Sequence, residues 1–246
     1  MPKKRPFARD EAYKKLLDLI ISDELSPDEP LSERSLSESL GIGRMPVREA
    51  IRKLVHDGAL EVLPARGTFV RRIDLEQLHE LYEVRQSIEG LAVFLAAQRG
   101  PTPELSEYGR RFLAAKEMKE PADFSEIYYE GADFHVEVFR AARNQILMDI
   151  YHPIRMRFRV AFGLAQYYDH DWVIGSIDQH LAILRAIELG DGLGAQRMMG
   201  DHLARGYESK IKIMSRHLDK KTVVYPLPVA GAVSREKARR KTARKP

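Results

Sequence analysis

Arg44, Arg48 and Arg52 recur at every fourth residue, so on a helix they share one face, beside the inward stripe of Val47, Ile51, Leu54 and Val55. A row of guanidiniums beside Met45, at the leading end of a short amphipathic helix, suits phosphate oxygens and base edges. Arg85 interrupts a second apolar stripe, Leu81, Ile88 and Leu91. A guanidinium on a face that otherwise packs inward needs an anion, either an internal carboxylate such as Glu89 or the carboxylate of a ligand. Three histidines, His135, His180 and His202, each lie in a stretch of helical spacing. The chain has no cysteine. That excludes disulfides, thiolate metal sites and cysteine nucleophiles, and leaves any metal to His and carboxylates.

The elements that would position these groups fall into two patterns. Residues 31–60 read as two amphipathic helices, the first capped by Ser32 with Leu36 and Leu40 inward, joined by a turn at Gly41 and Gly43. Residues 59–72 then read as two short strands around a turn from Pro64 to Gly67, with Arg66 at the tip. A hairpin after such a helix is the wing of a winged helix-turn-helix, and an arginine at its tip can enter a minor groove or grip a phosphate. After Asp74 the periodicity is helical throughout. One helix ends near Gly100, and others span about 102–119, 124–142, 145–166, 172–189 and 192–217, the fourth kinked at Pro153. The expected fold is mainly α, a winged helix-turn-helix followed by an all-helical bundle. The expected domains are a DNA-binding head over 1–72, a helical effector and dimerisation domain over 73–218, and a basic tail over 219–246.

The head resembles the GntR superfamily of bacterial winged-helix regulators. The matching pieces are Pro27 with Leu31-Ser-Glu-Arg34, Leu40-Gly-Ile42, Arg44 with Pro46-Val-Arg-Glu-Ala50, Leu54 with Asp57-Gly58, and Arg66-Gly67-Thr-Phe-Val70. Two positions depart from the pattern: Gly43 replaces a capping Ser, and Met45 replaces a small hydroxyl residue. The resemblance implies that Arg34, Arg44, Met45, Arg48, Arg66 and Gly67 meet DNA. The bundle is similar to the FCD ligand-binding domain of the FadR subgroup, on Phe134-His-Val-Glu-Val-Phe139 before Asn144, Asp178-Gln-His-Leu-Ala-Ile-Leu184 and Gly200-Asp-His-Leu203. That likeness implies that His135, His180 and His202 hold a divalent metal, zinc or nickel, and that Arg85 clamps an effector carboxylate. The family's fourth ligand is an Asp four residues before the first His, and here that position is Gly131. Asp133 points about 160° away from His135 around the helix, and Glu130 is out of step with it. A metal-free polar cavity is therefore the alternative.

Length and 44% hydrophobic content over 246 residues allow more than one core. No apolar run approaches a membrane span, and the Met-Pro-Lys-Lys-Arg start lacks a signal-peptide core, so a cytoplasmic protein with no membrane partner is expected. The net charge of +4 is a property of the tail, where residues 219–246 hold nine Lys or Arg against two acids. Such a segment is expected to be disordered and to attract phosphates without a defined sequence. The expected function is a transcriptional regulator, a repressor that binds a palindromic operator as a homodimer and responds to a small organic acid. The competing readings are a metal-free regulator responsive to acyl chains and a metal-dependent enzyme. The enzyme is disfavoured because no general base accompanies the histidines and an enzyme does not explain the wing.

Overall fold

The computed structural model describes residues 8–117, 124–163 and 169–215. In chain order the elements are α1 (Ala8–Ile21), α2 (Glu33–Leu40), α3 (Arg44–His56), β1 (Leu60–Leu63), β2 (Gly67–Val70), α4 (Leu75–Arg99), α5 (Pro103–Glu117), α6 (Phe124–Ala141), α7 (Gln145–Phe162), α8 (His170–Glu188) and α9 (Gly192–Ser215). They divide into two compact units, Met1–Ile73 with Asp149–Tyr167, and Asp74–Met148 with Tyr168–Pro246. The basic tail at 219–246 lies outside the described residues.

The first unit is the winged helix-turn-helix. Ser32 caps α2 by accepting a hydrogen bond from the Ser35 N–H at 3.2 Å, and Gly41 closes the helix in the left-handed region at φ 65°. Gly43 precedes α3 without a side-chain cap. α3 buries Val47, Ala50, Ile51 and Leu54, and leaves Arg44, Met45, Arg48 and Arg52 exposed. β1 and β2 pair antiparallel from Leu60 opposite Val70 to Leu63 opposite Gly67. The Leu31 N–H donates to the Thr68 carbonyl at 2.7 Å, which fastens the wing to the segment entering α2. Gly67 sits at φ +117°, and a Cβ there would lie 3.1 Å from the Pro30 Cβ, so backbone and space both ask for glycine.

Two features of this unit differ from the sequence reading. α1, which that reading did not draw, packs on α3 and supplies Ala12, Leu16, Leu17 and Ile20 to the core. The sequence pattern places the helix at 145–166 wholly in the bundle, whereas α7 from Asp149 to Phe162 groups with the head. Met156 is buried in the head's core and Val160, one turn later, packs against it. Apolar positions four apart match either partner equally well, so periodicity alone could not choose.

The second unit holds α4, α5, α6, α8 and α9. Asp74 opens α4 with a capping box, its carboxylate accepting from the Gln77 N–H at 2.8 Å. α4 runs along α9, α8 packs on α9, and α6 packs on α4 and α8. The α4–α9 approach is close because small residues face it: a Cβ at Gly90 would lie 3.3 Å from the Gln196 Cγ. Phe112, Phe134, Phe139, Leu105, Ile177, Ile183 and Met199 fill the interior. Met156→Ala should cost about 2–5 kcal/mol, the range for truncating a buried apolar side chain, and should act on the winged head. Denaturant unfolding followed by a probe in the head checks this, and unchanged head stability would remove α7 from its core.

Candidate DNA face and histidine centre

On the head, the residues expected to meet DNA all lie at the surface. Met45 is 59% exposed at the start of α3. The Arg48 Nε pairs with the Glu33 carboxylate at 2.8 Å, and the Arg34 Nε with Glu38 at 2.9 Å. The Arg66 guanidinium lies 5.6 Å over the Phe69 ring, which steadies the wing tip. Exposed pairs of this kind are worth about 0–1 kcal/mol, so a phosphate or a guanine edge can displace either carboxylate at little cost.

In the helical unit the three expected histidines meet. α6 supplies His135, α8 His180 and α9 His202, all buried, with one ligand atom from each lying within 4.8 Å of the others. The pattern around them fixes which atoms point inward. The His135 Nδ1 is 2.5 Å from a Glu89 carboxylate oxygen, and the His202 Nδ1 is 2.9 Å from the Gln179 amide oxygen. Both partners are acceptors, so each Nδ1 carries the proton and each Nε2 carries a lone pair. The two Nε2 atoms face each other at 3.2 Å. His180 stacks on Phe112, with ring centroids 5.1 Å apart, and both its nitrogens are buried without a hydrogen-bond partner among the described residues.

Converging lone pairs and an orphaned imidazole call for a cation. With metal–nitrogen bonds of about 2.1 Å, two ligands about 100° apart stand about 3.2 Å from each other, which is the Nε2 separation found here. A shared proton is the other way to relieve the contact, and burial opposes it at His202 and His180. Burial first, and then the neighbouring imidazoles, push His202 well below its ordinary range, and burial with His135 does the same to His180. The residues therefore fit a divalent metal, with Glu89 and Gln179 orienting two of its ligands.

Gly131 lies against this centre, as the four-residue spacing to His135 implied. A Cβ there would stand 3.0 Å from the His180 Cε1, so the His180 ring occupies the space a family-type Asp would need. An Asp introduced at this position would have to displace that ring, which offsets the gain in ligand number. Glu130 is engaged elsewhere, 3.2 Å from Arg111.

Arg85 pairs with Glu89 at 2.5 Å, and its guanidinium carbon lies 5.0 Å over the Tyr82 ring. The internal carboxylate thus takes the Nε of the expected clamp. Burial alone would raise the Glu89 pKa, but Arg85 and His135 outweigh it and hold the group down at about 2. Gln179 escaped the sequence reading, and Glu89 entered it only as a partner for Arg85. The available signals were the four-residue step from Arg85 to Glu89 and the position of Gln179 beside His180.

A winged head with an arginine-bearing helix on its surface, in one chain with a helical unit that gathers three histidines, defines the class as a DNA-binding regulator. Residues 8–70 match the bacterial regulatory proteins of the gntR family, and residues 80–205 match the FCD domain. The chain belongs to the GntR family, with an FCD domain, and is a transcriptional regulator rather than an enzyme. It is similar to the HTH-type transcriptional repressor RspR of Escherichia coli K12, at 28% identity over 85% of this chain and 91% of that one. It is also similar to a probable D-xylose utilization operon transcriptional repressor of Paenarthrobacter nicotinovorans, at 30% identity over 71% of this chain and 76% of that one. The structure of Escherichia coli McbR/YncC shares the fold, with a TM-score of 0.69 at 22% identity, covering 87% of this chain and all of that one. Among the described residues no helix is long and apolar enough to cross a membrane.

The electrostatics set a pH dependence. With folded pKa values well below the usual 6.5, His180 and His202 take protons first in the unfolded chain. Stability therefore falls as pH drops below about 6.5, at about 1.4 kcal/mol per pH unit for each proton. The stability contributed by Glu89 is present above 4.5 and is lost as pH falls from there to about 2. His180→Phe keeps an aromatic ring beside Phe112 and Phe134 and should shrink the loss of Tm between pH 7 and 5 in metal-free protein. An unchanged slope would contradict this account.

Proposed function

We propose that the protein is a repressor that binds a palindromic operator as a homodimer, and that a small organic acid, bound in the helical unit beside a divalent metal, changes its affinity for DNA. Arg34, Arg44, Met45, Arg48, Arg66 and Gly67 form the DNA-contacting set, with Arg44 and Arg48 on base edges or phosphates and the wing tip at the neighbouring groove. One head reads a short half-site, and pairing two heads on a palindrome doubles the contacts. The repressor sense is supported by the names of two relatives. The cytoplasm follows as the compartment in which such a regulator meets its operator.

The observation that carries the metal reading is the pair of Nε2 lone pairs at 3.2 Å beside the orphaned His180. His135, His180 and His202 would hold zinc or nickel. Three protein ligands leave coordination positions that an effector carboxylate can fill. Arg85, already fixed by Glu89, lies next to this centre and would share its guanidinium with the same carboxylate. A metal-free cavity is the second reading, favoured by the glycine at 131.

Two measurements test these assignments. Arg44→Ala and Arg48→Ala should each weaken specific operator binding by about 1–3 kcal/mol, with folding intact. Unchanged affinity in both variants would refute the recognition role of α3. In chelator competition the wild-type protein should retain zinc or nickel at about one ion per chain, and His180→Ala should abolish retention. If wild-type protein takes up neither ion at saturation, the metal-free reading stands.

A further inference from the structure

α4 carries two apolar stripes. The inner one buries Leu78, Leu81, Tyr82, Ala92, Val93 and Ala96 where the helix packs on α6, α8 and α9. About 120° round the helix, Val84, Ile88, Leu91 and Leu95 follow one another at steps of four, three and four, the spacing of a coiled-coil seam. Val84 is 44% exposed, and Leu91, which the sequence pattern turns inward, is 43% exposed. Ile88 and Leu95 are partly covered. A helix with apolar residues on more than one side needs a partner for each.

The outer stripe has the same spacing in either direction. Glu80 lies one turn before Val84 and Arg99 one turn after Leu95, both exposed, so the six positions step by four, four, three, four and four over about 29 Å. A second α4 laid antiparallel, about a two-fold axis at the level between Glu89 and Gly90, brings Ile88 of each copy to Leu91 of the other, Val84 to Leu95 and Glu80 to Arg99. Apolar residues then meet in the middle and acid meets base at both ends, as an isologous contact requires of a single surface. A parallel pair would set Glu80 on Glu80 and Arg99 on Arg99. One terminal nitrogen of Arg99 donates to the Ala142 carbonyl, which anchors the guanidinium and leaves its other N–H groups for a carboxylate.

We propose that this outer stripe of α4 is the surface through which two copies of the chain pair, antiparallel about that two-fold axis. The pairing rests on the homodimer reading above and adds to it the surface and the register. α4 also carries Glu89 on its buried side, so a single helix serves both the partner copy and the histidine centre.

The chain has no cysteine, so introduced thiols report the register without interference. Val84 and Leu95 stand about 17 Å apart on one helix, too far for a disulfide within a chain, whereas the antiparallel pair brings each beside the other residue of the second copy. The full-length double variant Val84→Cys with Leu95→Cys should form disulfide-linked dimers on mild oxidation, and neither single variant should. Leu91→Glu, next to the axis, should raise the dimer dissociation constant ten or more times in analytical ultracentrifugation with helix content unchanged, and the cross-linking decides the matter if this variant does not fold. A wild-type protein that sediments as a monomer overturns both this interface and the homodimer reading. A wild-type dimer whose double variant fails to cross-link, whose Val84→Cys variant cross-links alone, or whose folded Leu91→Glu variant keeps its affinity overturns the α4 pairing and leaves the homodimer reading intact.

Discussion

A carboxylate buried between helices stays ionised only with cations or strong donors at hydrogen-bond distance, and Glu89 has one of each. Arg85 stands on one side and the His135 Nδ1 on the other, both at 2.5 Å. This arrangement sets the state of the whole interior. It fixes the His135 tautomer, turns the Nε2 lone pair toward His202, and holds Arg85 in one orientation near the same centre. Removing Glu89 would leave a buried guanidinium without its carboxylate and an imidazole free to turn, so the proposed metal and acid sites both depend on this triad.

The head obeys a different economy. The arginines proposed to meet DNA are solvated, and Arg34 and Arg48 rest on nearby carboxylates that hold them weakly. Precision there comes from the scaffold: Ser32 sets the start of α2, the Leu31 to Thr68 hydrogen bond pins the wing, and the Met156 side chain of α7 closes the core. Rigid elements carry flexible, exposed side chains, which suits a surface that must adapt to DNA yet keep its register.

Much of this was legible in the residues. The cap at Ser32, the turn between Pro64 and Gly67, and the three-to-four spacing of the apolar residues place most of the elements to within a few positions. The histidines announced themselves through family likeness, and the four-residue step predicted that Gly131 would face the same centre. What sequence could not supply was partner choice. α7 has an apolar stripe that fits the head or the bundle equally well, and only packing volume decides. Gln179 looks like an ordinary polar residue next to His180, because the carbonyl it turns to His202 depends on how α8 and α9 cross. Lys210 reads as one of many lysines until Tyr128 and Trp172 cover it.

Charge balance bears on the ligand of the histidine centre. The Arg85 and Glu89 charges cancel, so a divalent ion at the histidines would leave the interior positive without an anion beside it. The rings of Phe112, Phe134 and Trp172 against the histidines keep that charge from solvent, so an acid that reaches the centre would be held by a charge pair stronger than any at the surface.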